Sequence, residues 1–208
     1  MPEIAWALFV SASLVVILVP GQDMVLVMSR GMGHGAMAGL ATAAGVSVGL
    51  LGHTVLAALG LGALLQSSPL VYSLVKFVGA GYLCYLGIRL LISGKKSLDA
   101  TSVAKAPLFR LFTQGALSNL SNPKIAMFYF AFLPQFVPAT APQPVFLISV
   151  LGVAFALLTF AIKVPVGYFS GTLSIWFRAH PNALAWVYRS SGMILIGLGL
   201  RLAIAQTK

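Results

Sequence analysis

Six long apolar stretches dominate this 208-residue sequence and leave few ways for it to fold. A membrane-spanning helix needs about 20 mostly apolar residues. Only 8% of the residues are charged and the mean hydropathy is +0.98, whereas about a quarter of the residues of a soluble domain are charged. We therefore predict an all-α membrane protein with six transmembrane helices. The predicted helices lie at about residues 4–28, 36–65, 69–93, 111–137, 145–173 and 186–205.

The basic residues predict how these helices are oriented. In a six-helix chain alternate loops share one side of the membrane, and one side collects most of the Lys and Arg residues, above all in the polar segment 94–110. The positive-inside rule makes that side cytoplasmic and places both termini outside. The net charge of +10 is thus explained largely by topology, and we do not expect a nucleic-acid partner.

The second half of the sequence partly repeats the first. An offset of 112 residues aligns the third predicted helix with the sixth and brings Gly87 onto Gly199, and an offset of 103 brings Pro20 onto Pro123. Helical composition alone would give some of these identities. Because each half has three helices, the second copy must be inverted, as in many secondary transporters. We predict one transmembrane domain, 1–208, with repeat one at about 4–93, a basic cytoplasmic loop at 94–110 and repeat two at about 111–206.

A proline interrupts the first and the fourth predicted helices. Pro20 and Pro123 lack an N–H and crowd the carbonyl four residues earlier, so each should break its helix. Gly21 adds backbone freedom beside the first break. Unpaired backbone at membrane depth needs polar partners or a water-filled cavity. The candidate polar partners near the breaks are Gln22, Asp23, Asn119, Asn122 and Lys124.

Asp23 is the one acidic residue within a predicted span, and it should therefore be protonatable, paired or solvated. Its candidate counter-ions are Lys124 and Lys163, in the fourth and fifth spans. An alternative interpretation pairs Asp23 with Arg30 near the cytoplasmic headgroups. Lys124 has an alternative too, in which its ammonium only snorkels to the interface. For Lys163, a role in a functional cavity and a role in packing are equally consistent with the sequence.

Signals for catalysis and for metal binding are weak. Gly45-Val46-Ser47-Val48-Gly49 fits the nucleophile-elbow pattern, but it lies within a predicted helix instead of a strand-to-helix turn. One cysteine and three scattered histidines give no metal-ligand spacing. We expect no enzymatic activity, no cofactor and no metal site. His53 is interpreted as a hydrogen-bonded packing residue, with a proton relay as the alternative.

The residues around both breaks resemble the LysE/RhtB family of amino-acid exporters. Pro20-Gly21-Gln22-Asp23-Met24 is similar to the family's first signature, and Asn119-Leu-Ser-Asn122-Pro123-Lys124 to its second. The resemblance implies a six-helix protein of the cell inner membrane that exports amino acids or related metabolites, driven by the proton gradient. Gln22 stands where the family commonly has a second proline, and Lys163 belongs to no motif of the family. The carried-over residues are Pro20, Gly21, Asp23, Asn122, Pro123 and Lys124.

These observations predict a proton-coupled exporter whose two breaks face each other at mid-membrane. Backbone N–H groups at a half-helix start, with Lys124 or Lys163, would bind a substrate carboxylate, and Asp23 would alternately hold the substrate ammonium and a proton. Two alternatives stay open: export of a cation or another small solute, and a membrane sensor or assembly subunit that transports nothing. Glycines four residues apart permit close helix contact within one chain or in a homodimer. The predicted site comprises Pro20, Gly21, Gln22, Asp23, Asn119, Asn122, Pro123, Lys124 and Lys163.

Overall fold

The computed structural model describes residues 6–67, 69–92, 106–137 and 141–204, which form helices joined by short turns. Both termini and most of the basic segment 94–110 lie outside these residues, so the predicted orientation stays a prediction. The elements are α1 (Trp6–Leu18), α2 (Gln22–His34), α3 (Ala36–Ser67), α4 (Pro69–Ile92), α5 (Leu108–Leu120), α6 (Pro123–Met127), a π-helical turn (Phe128–Phe132), a 3-10 turn (Leu133–Phe136), α7 (Pro144–Tyr168), α8 (Ser170–Ala179) and α9 (Pro181–Ile204).

Four of the described helices are long and apolar enough to cross a membrane, and a bent pair makes a fifth candidate. The bent pair is α1 with α2, whose axes differ by 54° at the break. The predicted fourth span, 111–137, consists of α5, α6 and the two turns that follow, each too short to span alone. The described chain is therefore a multi-pass, all-α membrane protein with four to five candidate spans. The four long candidates are Ala36–Gly60, Ser73–Ile92, Pro144–Tyr168 and Asn182–Ile204.

Two predicted boundaries are wrong. The proline-rich run of residues 134–144 also predicts a turn that starts at Pro134, but Pro134 lies in the first turn of a 3-10 helix that ends at Phe136. The fifth span was predicted to continue to residue 173, but α7 ends at Tyr168 and α8 follows after Phe169. In both places the apolar residues continue past the point where the backbone changes direction, so hydropathy alone does not mark the end of the helix.

α3 is the central helix of the bundle. It packs along α5 on one side and along α7 on the other, while α4 and α9 pack against each other. Glycines bring these backbones together: a Cβ on Gly87 would lie 2.6 Å from the Gly192 carbonyl oxygen, and one on Gly167 would lie 2.7 Å from the Gly39 carbonyl oxygen. Close approach of this kind is how helices gain van der Waals contact in lipid.

The bundle buries several charged and amide groups and exposes large apolar side chains. Leu59, Ile92 and Ile204 are among the exposed apolar residues, at 68%, 77% and 79% exposure. Asp23 and Lys163, by contrast, are buried. An apolar surface of this extent is not stable in water but suits a lipid environment. The polar interior marks where function is expected in such a protein.

Gly49 on α3 is where the packing reaches the polar interior, and it gives a first test. A Cβ there would lie 2.7 Å from the Ala116 carbonyl oxygen and 2.9 Å from Asn119 Cβ. We expect Gly49→Ala to lower the free energy of unfolding by about 1–3 kcal/mol, because α5 must move away from α3. Gly81→Ala is the matched control, since no atom lies within 4 Å of a Cβ at Gly81. Equal unfolding of the two variants in detergent would contradict this view of the α3–α5 contact.

Candidate functional site

The two proline breaks lie side by side inside the bundle. α1 ends at Leu18, and Gly21 in an extended conformation precedes α2. α5 ends at Leu120, and α6 begins at Pro123, whose missing N–H is tolerated at the first position of a helix. A Cβ on Gly21 would lie only 3.2 Å from Lys124 Nζ. The helices are thus interrupted where the prolines predict, and the two interruptions are in contact.

Asp23, in the first turn of α2, is at the centre of this region. Its Oδ2 accepts a hydrogen bond from Asn119 Nδ2 at 2.7 Å, and its Oδ1 accepts one from Asn122 Nδ2 at 3.0 Å. The residue is only 3% exposed, and it is the one acidic residue among those that the structure describes. A helix N-terminus also favours a negative charge. Two amides from the second break therefore stabilise the carboxylate of the first.

Lys163 on α7 is the charged partner of Asp23. Its Nζ lies 3.2 Å from Asp23 Oδ2, and both side chains are 5% exposed or less. The alternative pairing of Asp23 with Arg30 is therefore wrong. A buried ion pair needs hydrogen bonds to its remaining lone pairs, because desolvation of both charges is costly. Asn119 and Asn122 provide those hydrogen bonds.

Lys124 has a different partner from the one predicted. Its Nζ donates to the carbonyl oxygens of Val16 at 3.1 Å and Val19 at 3.2 Å, at the end of α1. It forms no ion pair with Asp23, and its ammonium turns toward the break instead of snorkelling to the interface. The reason lies in Pro20, which cannot supply the N–H that the Val16 carbonyl would receive in a continuous helix. Lys124 replaces that missing donor.

Two further polar residues connect the same elements. Gln22 Nε2 donates to the Ser118 carbonyl oxygen at 3.2 Å and lies 3.0 Å from Ser118 Oγ, which joins the start of α2 to α5. Asn122 has a second role as the N-cap of α6, where its side chain accepts a hydrogen bond from the Lys124 backbone N–H at 3.1 Å. The structure thus brings together all nine residues of the predicted site, at the two breaks and at Lys163.

His53 on α3 was interpreted as a packing residue, and the structure confirms that it is buried and hydrogen-bonded. Its partner was not foreseen: Nε2 lies 3.0 Å from the Asn119 carbonyl oxygen. Ser118 was missed as well. The sequence did hold a signal for the His53 contact, because a proline at position 123 leaves the carbonyl at position 119 without its helical donor.

The geometry presents one buried carboxylate, one buried ammonium and several amide groups at a point where two helices are interrupted. Such a set can bind a small molecule that carries both charges, or a cation and an anion in turn. The described residues contain no group of three or more His, Cys, Asp or Glu side chains that could hold a metal ion.

Comparison with known families identifies the family of this chain. The sequence profile of the LysE type translocators matches residues 14–206, nearly the whole chain and both breaks. The chain belongs to the LysE type translocator family. This is a family of transporters and not of enzymes.

Several relatives resemble the translocator over almost its full length. A leucine efflux protein of Salmonella typhimurium is 30% identical, with 97% of this chain and 95% of the relative covered. A membrane protein of Vibrio cholerae of uncharacterized function is 30% identical, with 97% of each chain covered. One from Pseudomonas aeruginosa is 31% identical over 91% of this chain and 90% of the relative. No solved structure matches the translocator.

Proposed function

We propose that the translocator is a proton-coupled secondary transporter that exports amino acids or related small metabolites across the inner membrane. The observation that carries the proposal is the buried ion pair of Asp23 and Lys163 between two broken helices. A zwitterionic amino acid has the same two charges as this pair, an ammonium and a carboxylate. The relatives named leucine efflux proteins support an amino acid as the substrate and make leucine the first one to test.

Substrate binds by exchanging partners with the ion pair. The substrate ammonium replaces Lys163 Nζ at the Asp23 carboxylate, and the substrate carboxylate pairs with Lys163. Each buried charge keeps a partner during this exchange, which avoids the several kcal/mol that an unpaired buried charge costs. Lys124 does not take part, because the carbonyls of α1 hold its ammonium. Of the two lysines predicted to assist, Lys163 is therefore the one we assign to the substrate.

The start of α2 completes the carboxylate site. Its N-cap, Gly21, has no side chain to occupy the free N–H groups of the first turn. At α6 the N-cap is Asn122, whose side chain already accepts a hydrogen bond from the Lys124 backbone N–H. A helix N-terminus with unoccupied N–H groups binds carboxylates readily. The substrate carboxylate therefore lies between Lys163 and the first turn of α2.

Asp23 couples export to proton entry because it accepts one cation at a time. With the site open to the cytoplasm, it binds the substrate ammonium. After the substrate has left on the outer side, a proton binds to the Asp23 carboxylate. The site then opens to the cytoplasm again with Asp23 protonated. Intramembrane carboxylates serve as proton carriers in many transporters. Asn119 and Asn122 remain beside the carboxyl in both forms, since an amide can donate to a carboxylate and accept from a carboxylic acid.

This cycle needs alternating access. Contacts between α4 and α9 support it, because they are related by the internal repeat. Gly87 faces the Gly192 carbonyl and Gly199 faces the Ala80 carbonyl, and a Cβ added at these glycines would lie 2.6 and 2.8 Å from the respective oxygens. The offset of 112 residues aligns Gly87 with Gly199 and Ala80 with Gly192. The two contacts therefore join equivalent positions of the two repeats. Cys84 Sγ lies 3.9 Å from the Ile196 carbonyl oxygen. These residues are 112 positions apart, so this contact joins two positions that the repeat aligns with each other.

These contacts are those expected of two inverted repeats around a two-fold axis. At the breaks, Gly21 and Lys124 are likewise repeat counterparts in mutual contact. We therefore take α5, α6 and the turns to Phe136 as one broken span, equivalent to α1 with α2. This gives six spans in two inverted halves, with both termini outside, and a site at the interface that rocking of the halves exposes to either side.

The proposal is tested by efflux from proteoliposomes. Vesicles loaded with radiolabelled leucine at neutral pH are diluted into acidic buffer, so that protons enter as the amino acid leaves. We expect efflux at least tenfold faster than from protein-free vesicles, and an ionophore that collapses the pH gradient should abolish the acceleration. Efflux that ignores the gradient would contradict proton coupling. No efflux for leucine or for any of a broad panel of amino acids would favour a non-transporting sensor.

A further inference from the structure

Each proline break frees one carbonyl, and each freed carbonyl receives a donor from another part of the chain. Pro20 frees the carbonyl of Val16, and Pro123 frees that of Asn119, because a proline has no N–H to donate to the residue four positions earlier. The Val16 carbonyl accepts from Lys124 Nζ at 3.1 Å. The Asn119 carbonyl lies 3.0 Å from His53 Nε2. His53 thus does at the second break what Lys124 does at the first.

The contact fixes the role of Nε2 in the imidazole. A backbone carbonyl can only accept, so Nε2 carries a proton and donates it to the Asn119 carbonyl oxygen. Among the described residues Nδ1 has no partner, which leaves the bond to Asn119 as the ring's one protein hydrogen bond. The same carbonyl also accepts from the Asn122 backbone N–H at 2.9 Å. His53 therefore binds the backbone of the residue whose side chain holds Asp23.

We propose that His53 is a positioning residue for the substrate site, acting through Asn119 on Asp23. The Nε2–H bond holds the Asn119 backbone at the end of α5, so that its Nδ2 donates to Asp23 Oδ2 at 2.7 Å. This inference rests on the proposed function in one respect only, that Asp23 binds the substrate ammonium. Without the bond, only the backbone N–H groups that follow hold the Asn119 carbonyl, so the end of α5 can turn and the carboxylate loses its shortest contact.

The ring itself is held from the other side. His53 stacks on Tyr129 in the π-helical turn, with ring centroids 5.5 Å apart. Tyr129 in turn donates its hydroxyl to the Gly152 carbonyl oxygen on α7 at 3.2 Å, and its hydroxyl lies 3.2 Å from Thr54 Oγ1. The π-helical turn and α7 therefore fix the direction in which Nε2 points. π-helical turns occur often at functional sites.

Two substitutions separate this role from packing. His53→Gln places an amide N–H at about the reach of Nε2, whereas the shorter side chain of His53→Asn does not reach Asn119. We expect His53→Asn to raise the KM for leucine efflux about tenfold, since the buried Asn119 carbonyl loses its side-chain donor. His53→Gln should stay within about threefold of the wild type. A packing residue would instead lose stability in both variants with an unchanged KM.

The aspartates provide a readout that does not depend on transport. The chain has two, Asp23 and Asp99. Labelling with aspartate carrying ¹³C at the side-chain carboxyl therefore gives two signals, and Asp23→Asn assigns them. We expect His53→Asn to displace the Asp23 signal and His53→Gln to restore it. If His53→Asn does not fold, the comparison of His53→Gln with the wild type decides, because it retains the donor without the ring.

The outcomes separate the two proposals. An Asp23 signal unmoved in His53→Asn, or displaced in His53→Gln, would overturn the positioning role even if leucine is transported. An Asp23 signal that follows the expected pattern in a protein that transports no amino acid would support the positioning role and contradict the proposed function. An unchanged KM in His53→Asn beside a displaced signal would overturn the step from Asp23 to substrate binding.

Discussion

Asp23→Asn is expected to lower gradient-driven leucine efflux at least tenfold, and to remove what remains of its dependence on the pH gradient. The amide keeps the size of the carboxylate but can neither pair with the substrate ammonium nor carry the proton. A hydrogen bond between charged groups contributes about 1.5–3 kcal/mol, which corresponds to about a tenfold to hundredfold change in binding. The measurement is initial efflux from loaded proteoliposomes, with and without the gradient.

The matched control is Asp99→Asn, which removes the chain's other aspartate in the polar basic segment of the sequence. This variant should retain wild-type efflux and wild-type gradient dependence. Asp23→Glu adds a second comparison, because it keeps the carboxylate and displaces it by one methylene. Full gradient-driven efflux in Asp23→Asn would refute the coupling role of Asp23, and a loss confined to Asp99→Asn would place the coupling elsewhere.

Much of the fold follows from two physical signals in the sequence. The apolar stretches gave the membrane class and most helices, because every backbone polar group in lipid must be satisfied within a helix. The prolines gave both breaks, since they remove a donor wherever they occur. Asp23, Asn119 and Asn122 were found for the same reason, as polar groups beside unpaired backbone. Lys163 was found by its depth in an apolar helix alone.

The partners of the charged groups could not be predicted. Lys124 and Lys163 were equivalent candidates for Asp23, and only the packing of α7 against α2 brings Lys163 within 3.2 Å. Asp23 and Lys163 are 140 positions apart, so no local spacing encodes the contact. His53 was similarly underestimated, because its partner is a backbone carbonyl, which has no signature of its own in the sequence. Hydropathy reports burial, but it does not report which groups meet.

The ion pair of Asp23 and Lys163 gives a second large expected effect, this time on stability. Lys163→Met keeps much of the apolar length of the side chain and removes its charge, which leaves the Asp23 carboxylate buried without its cation. Breaking a buried pair in this way costs about 3–5 kcal/mol. Thr159→Val is the control: it lies one turn away on α7 and is also buried, and it changes polarity without changing charge. We expect its effect to stay below about 1 kcal/mol.

The double variant Asp23→Asn with Lys163→Met should recover most of the stability that Lys163→Met loses, because it removes both buried charges together. Replacing a whole buried pair is often neutral or stabilising. The double-mutant cycle should therefore show a coupling of about 2–3 kcal/mol in the free energy of unfolding, measured by denaturant titration in mixed micelles. Efflux in the double variant should be no higher than in Asp23→Asn, since the two charges that we assign to the substrate are gone. A coupling near zero would mean that the two residues do not stabilise each other. Efflux restored together with stability would mean that the ion pair stabilises the fold but does not bind the substrate.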